Sequence, residues 1–242
     1  RLVAAGADTV YRRIFHVPVP LDRGAGIRVH GVAYELQGMW PNLARTSTTV
    51  PDGVAGPLVY AGRARPTEVA AQSLGGAIVL LEYDCADDWV RVFDAGAVAV
   101  VFLAAEAGDP ADWAHRSEGA VRFLSTSADM PRFYAEVDVA RRLRQAAPAP
   151  LARLTGRMDW TDVEGATLVS VVPGTDPALH GEAIVVASYY DAVSPVPARA
   201  PGADQASGVA VWLELASYLH QQRPARTVVL VTAPGHFQAL AG

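Results

Sequence analysis

From Gly56 onward the chain alternates short apolar runs with glycine and proline breaks, and this rhythm predicts most of its elements. Gly76–Tyr83 (GAIVLLEY) and Ala97–Leu103 (AVAVVFL) are continuous apolar runs, the mark of strands buried on both faces. Leu58–Ala61 is a shorter run of the same kind. Asp88–Ala95 reads as a short helix and Arg132–Val137 as a further strand. Asp138–Ala147 reads as a helix, with Asp138 as its N-cap and Arg141, Arg142 and Arg144 toward its C-terminus. Upstream, the first 20 residues read as the end of a helix, a turn at Gly6-Ala7-Asp8 and a strand over Thr9–Pro18. Residues 21–50 are mixed and include a turn at Trp40-Pro41-Asn42, and the Ala-Pro-Ala-Pro run at 147–150 reads as a domain boundary.

Beyond that run the pattern is clearer. Ala166–Val172 is a strand ended by Pro173-Gly174, and Ala183–Tyr190 (AIVVASYY) is a second. A loop rich in proline, alanine and glycine follows from Ser194 to Gly202. Ala206–Gln221 is an amphipathic helix, with Val209, Trp212, Leu213, Ala216 and Leu219 at helical spacing. Arg226–Ala233 (RTVVLVTA) is a third strand. Strand, helix and strand in this order predict a βαβ unit in a sheet that is at least partly parallel.

Composition narrows the classes. Of 242 residues, 51% are hydrophobic and 19% charged, enough for a packed core and against wholesale disorder. The net charge of −5, with acids and arginines interleaved, argues against a nucleic-acid partner, which would call for a basic stripe. There is no lysine, which together with abundant alanine, glycine and proline suggests a GC-rich bacterial genome. The single cysteine, Cys85, excludes an intrachain disulfide and reads as a small semi-buried residue. No stretch reaches the roughly 18–20 apolar residues of a membrane span. The chain opens on Arg1 without a signal peptide, and both true termini are expected to lie outside it.

Three polar residues fall at the carboxyl ends of the predicted strands, where open α/β sheets gather their chemistry. Asp191 follows one strand, Asp204 precedes the helix and His236 follows the next strand. Two carboxylates and an imidazole are legitimate ligands for zinc. The plainer alternatives are a helix cap for Asp204, a turn for Asp191 and a surface position for His236.

The ordered blocks Leu168–Asp176, Ile184–Asp191, Pro201–Ala210 and Arg226–Val231 resemble the M28 zinc peptidases. The blocks Gly56–Gly62, Gly75–Leu81 and Ala95–Val101 resemble the protease-associated (PA) domain often inserted in that family. The resemblance implies an α/β fold: a partly parallel, zinc-aminopeptidase-like sheet flanked by helices, with an inserted β-rich PA-type domain. Residues 1–44 would begin the peptidase-like domain, 45–150 would form the insert, and 151–242 would continue the peptidase-like domain without completing it.

The departures from the family pattern fall on its chemistry. The resemblance implies a zinc-binding His-x-Asp after the strand, yet Tyr189 stands at the His position while Asp191 remains. The metal-bridging aspartate matches Asp204. The family's Glu-Glu, general base and ligand, aligns with His236 and Phe237. Asp204 and His236 therefore remain as metal candidates, and Tyr189 is expected to fill the vacated space and donate its hydroxyl to Asp191. These substitutions point to a catalytically degenerate binding or assembly module without a cofactor. The alternative is an active zinc aminopeptidase or carboxypeptidase with rearranged ligands. The partner expected is a protein, or a second chain that completes the fold. Family habit places such a chain outside the cytoplasm.

Overall fold

A computed structural model describes residues 9–42, 44–105, 126–200 and 202–236. The chain divides into two compact units. A terminal unit comprises Arg1–Val19, Asp162–Ala192 and Pro201–Gly242, and a central unit comprises Pro20–Thr161 and Val193–Ala200. These limits differ from the expected ones at 44/45 and 150/151, because the chain passes between units inside two long strands. They are β1 (Val10–Val29) and β7 (Ala149–Val172). The Ala-Pro-Ala-Pro run is thus no linker. It leads into β7, where the register to β3 (Val54–Tyr60) shifts between Gly56 and Leu58 and a missing proline N–H is tolerated. The helix and turn expected over the first eight residues lie outside the described residues.

In the central unit, β1 turns at His30-Gly31 into β2 (Val32–Gly38), with Val29 opposite Val32. Both turn residues have positive φ, 49° and 81°, the left-handed geometry that matches the twist of a two-residue hairpin. The remaining elements are α1 (Pro66–Ala70), β4 (Ile78–Glu82), α2 (Val90–Asp94), β5 (Ala99–Leu103), β6 (Arg132–Ala135) and α3 (Val137–Ala146). The strands run β1-β2-β6-β5-β4-β3-β7, and β1 also pairs with β7, so the seven close into a ring. The four strands β3, β4, β5 and β6 are mutually parallel.

The continuous apolar runs become β4 and β5, whose Ile78–Leu81 and Ala99–Leu103 are buried throughout. Each large side chain so buried stabilises the fold by about 1.5–3 kcal/mol. The aromatic centre is ordered by edge-to-face contacts, Tyr83 on Phe102 at 5.9 Å and Trp89 on Phe102 at 6.4 Å between centroids. A buried guanidinium sits among them: Arg132 lies 5.2 Å over the Trp89 ring and donates to the Trp40 carbonyl at 2.8 Å. Burial pulls its pKa down to about 10, which leaves it charged at neutral pH. Gly56 is required by packing, since a Cβ there would stand 2.1 Å from the Gly76 carbonyl. Cys85 is buried, and burial pushes its thiol up to about 12, so it is an inert core residue. Asp138 falls one turn position inside α3 rather than at its cap, which is Glu136; Asp138 instead pairs with Arg141 at 3.2 Å.

In the terminal unit, β8 (Ala183–Tyr189), α4 (Gly202–Gln222) and β9 (Thr227–Ala233) form the expected βαβ unit, with β8 and β9 parallel and β9 antiparallel to β7. Trp212 and Ala216 of α4 are buried against Val172, Val228 and Leu230, and the Trp212 indole donates to the Val186 carbonyl at 3.1 Å. The opposite face of these strands is also aliphatic. By register, Val171, Val229 and Val185 form one row and Val169, Val231 and Ala187 the next. Val185 is 63% exposed and Val171 37%.

Candidate functional site

The site grows from the ends of β8 and β9. Tyr189, the last residue of β8, pairs with Ala233, the last of β9, and the Tyr190 amide donates to the Ala233 carbonyl at 3.2 Å. The Tyr190 hydroxyl reaches back to the Ala166 carbonyl at 2.6 Å and pins this end of the strand. After β9 the chain turns at Gly235, whose φ of 80° suits glycine. Its amide donates to Asp191 Oδ2 at 3.0 Å.

That turn brings His236 onto Tyr189. The two rings stack with centroids 4.1 Å apart and planes 10° from parallel. Together with Ala187, Ser188, Val231, Ala233 and Pro234 they line a recess of about 300 Å³ whose walls are chiefly apolar. His236 itself is exposed. Asp191 Oδ1 is buried and has no hydrogen-bond partner among the described residues. Asp191 thus accepts a backbone amide on one side, and the Tyr189 ring is stacked on the imidazole.

Of the five positions expected from the sequence, Tyr189, Asp191 and His236 come together. Asp204 is the third residue of α4, inside its first turn rather than ahead of the helix, because the helix starts at Gly202, four residues before the expected start at Ala206 and ahead of its apolar stripe. An acidic residue there is favoured by the helix dipole. Its side chain, and Phe237 as a whole, lie outside the described residues. Gly235 and Tyr190 were not singled out from the sequence. The signal for Gly235 was present in the Pro-Gly-His turn, whereas nothing in the sequence marks Tyr190 as an anchor.

A catalytic zinc takes three protein ligands and a water. Here the described donors are one carboxylate, already engaged by a backbone amide, and one imidazole with a tyrosine ring against its face. No group of three His, Cys, Asp or Glu side chains comes together among the described residues. These residues alone do not fit a catalytic zinc.

The fold is that of the zinc aminopeptidases. The zinc aminopeptidase of Bacillus subtilis matches with a TM-score of 0.65 at 20% identity, covering 96% of this chain and 52% of that one. An aminopeptidase from an Aneurinibacillus species matches with a TM-score of 0.56 at 18% identity over 96% and 54%. A peptidase M28 precursor from Shewanella amazonensis matches with a TM-score of 0.57 at 16% identity over 96% and 55%. The chain thus spans about half the length of these structures. No curated protein matches the sequence. Residues 167–235 match the model of peptidase family M28, so this part of the chain is similar to the M28 peptidases.

Proposed function

We propose that this chain is a catalytically degenerate M28-like protein that serves as a binding or assembly module. The observation that carries the reading is the stack of Tyr189 on His236. A residue at the family's histidine position and a residue at its general-base position are in contact with each other, with an aromatic ring where a metal ligand would stand. Phe237 at the next family position has no donor to offer a metal. Losing such ligands weakens metal binding, and losing the base removes acid–base assistance worth about 10²–10⁴-fold.

In this reading no cofactor is needed, and the partner is a protein or a second chain. The central unit is read as a PA-type module that makes contacts, and the protein as acting outside the cytoplasm. A second reading keeps zinc, on the observation that Asp191 and Asp204 stand at family positions in the matched segment. It makes the protein a zinc aminopeptidase or carboxypeptidase with His236 among rearranged ligands.

Zinc analysis of the purified chain after dialysis against excess zinc, with an assay on aminoacyl anilides and short peptides, separates the two. Zinc well below one equivalent and no cleavage support the binding module. Stoichiometric zinc with turnover that a chelator abolishes, and that Asp204→Ala also abolishes, overturns it.

A further inference from the structure

The connection from β8 to α4 leaves the terminal unit and comes back to it. Asp162–Ala192 and Pro201–Gly242 belong to the terminal unit, whereas Val193–Ala200 belong to the central one. A strand and a helix are usually joined by about 2–6 residues that run over the surface. Here Val193, Ser194, Pro195 and Val196 are buried one after another, and Val196 is part of the core that contains Leu58 and Phe133. A loop buried in this way has to place its backbone polar groups. Pro195 and Pro197 bring no N–H to place. The Pro195 carbonyl accepts the Trp40 amide at 2.7 Å. The Val196 amide donates to Ser194 Oγ at 3.1 Å, and the Arg199 amide to the Val196 carbonyl at 2.8 Å across the short turn Pro197–Arg199.

Arg199 closes the segment from outside. Its Nη2 donates to Glu136 Oε2 at 2.6 Å, with both side chains partly exposed. Glu136 stands at the N-cap of α3, yet its carboxylate makes no cap there and reaches Arg199 instead. Trp40 is fixed from its other side, since its carbonyl accepts from the buried Arg132. The seat is thus built into the central unit, while the chain it holds leads straight to the site. Only Ala192 separates Val193 from Asp191, so extended chain allows them at most about 7 Å. Asp191 Oδ2 accepts the Gly235 amide, in the turn that brings His236 onto Tyr189. At the other end, Ala200 lies just ahead of Gly202, where α4 begins. A proline-stiffened segment seated in one unit and joined at both ends to the other has two discrete states, seated and released, which is what a switch requires.

We infer that Val193–Ala200 form a latch through which the central unit controls the recess at Tyr189 and His236. The inference rests on that recess being the site of the proposed binding function. Zinc content and cleavage report on what the recess does, whereas exchange at two backbone amides reports on whether the latch governs it. The test is hydrogen exchange followed by NMR on the whole chain, with the Trp40 amide reporting the seat and the Gly235 amide the site. Glu136→Arg should speed exchange at both by about two- to fivefold, the factor an exposed ion pair is worth, and Glu136→Arg/Arg199→Glu should restore both. Val196→Asp, which puts a charge into a sealed position, should speed both by about tenfold or more while Val79–Leu81 of β4 stay protected. If β4 loosens as well, the charge reversal and its rescue decide. The latch is overturned by a Gly235 amide that keeps its rate in a variant whose Trp40 amide is released. It is equally overturned by a Trp40 amide that no variant releases, or by a Gly235 rate that stays raised in the double reversal.

Discussion

The imidazole of His236 lies flat on the phenol ring of Tyr189, 4.1 Å away and tilted by 10°. Stacked aromatic pairs contribute about 0.5–1.5 kcal/mol beyond the area they bury. Tyr189→Ala is therefore expected to lower stability by about 1 kcal/mol in a urea titration. It should also move the His236 ring protons downfield in the NMR spectrum, as the ring current of the tyrosine is lost. Unmoved His236 signals would show that the stack does not form in solution.

The Gly235 turn that delivers His236 hangs on one hydrogen bond, from its amide to Asp191 Oδ2. Hydrogen bonds to charged groups are worth about 1.5–3 kcal/mol. Asp191→Ala should cost about 2 kcal/mol and speed hydrogen exchange at the Gly235 amide, while exchange in the middle of β9 changes little. Equal slowing or speeding at both places would mean that Asp191 acts on the whole sheet and not on the turn.

Alkaline pH probes the central unit. The Tyr60 hydroxyl donates to Glu82 Oε1 at 2.7 Å, and Arg144 grips both oxygens of the same carboxylate, at 2.8 and 2.6 Å. Burial, then the hydrogen bond to Glu82, raises the Tyr60 pKa from 10.0 to about 12. The folded state thus favours the neutral phenol. Its contribution to stability is complete below pH 10 and is lost as the pH rises from there through about 12. The melting temperature should fall over that interval, and less steeply in Tyr60→Phe. Cys85, raised to about 12, contributes a fall of the same sign in both proteins, so the difference between the two curves isolates Tyr60.

What the sequence made legible followed from periodicity. β4, β5, β8, β9 and the stripe of Trp212 and Ala216 on α4 were all readable, because their apolar residues repeat at the spacing of the element that buries them. The second half of β1, beyond the strand expected over Thr9–Pro18, and the first half of β7 were not. Their outward faces carry residues such as Arg28, Arg153 and Arg157, and prolines interrupt both strands, so the alternation is hidden. The hairpin between β1 and β2 turns on His30-Gly31, which lacks the Asn-Gly or Asp-Gly pair that usually marks such a turn. At the site, the identities at 189, 191 and 236 were legible from their positions after strands. The stack was not, because it depends on the left-handed Gly235 and on which way a tyrosine ring turns, and neither leaves a repeat in the sequence.

The row Val171, Val229 and Val185 carries a last consequence. Water over such a strip keeps its hydrogen bonds to other water and gains none from the protein, so it is released when anything apolar arrives. During refolding that arrival is another unfinished chain. Recovery of native protein from urea should therefore drop as protein concentration rises. Val185→Asp, which puts a charge on the most exposed position of the row, should restore it without lowering the melting temperature by more than a few degrees. A dye that brightens in apolar surroundings should bind the native parent and dim in the variant, and equal brightness in both would place the dye elsewhere.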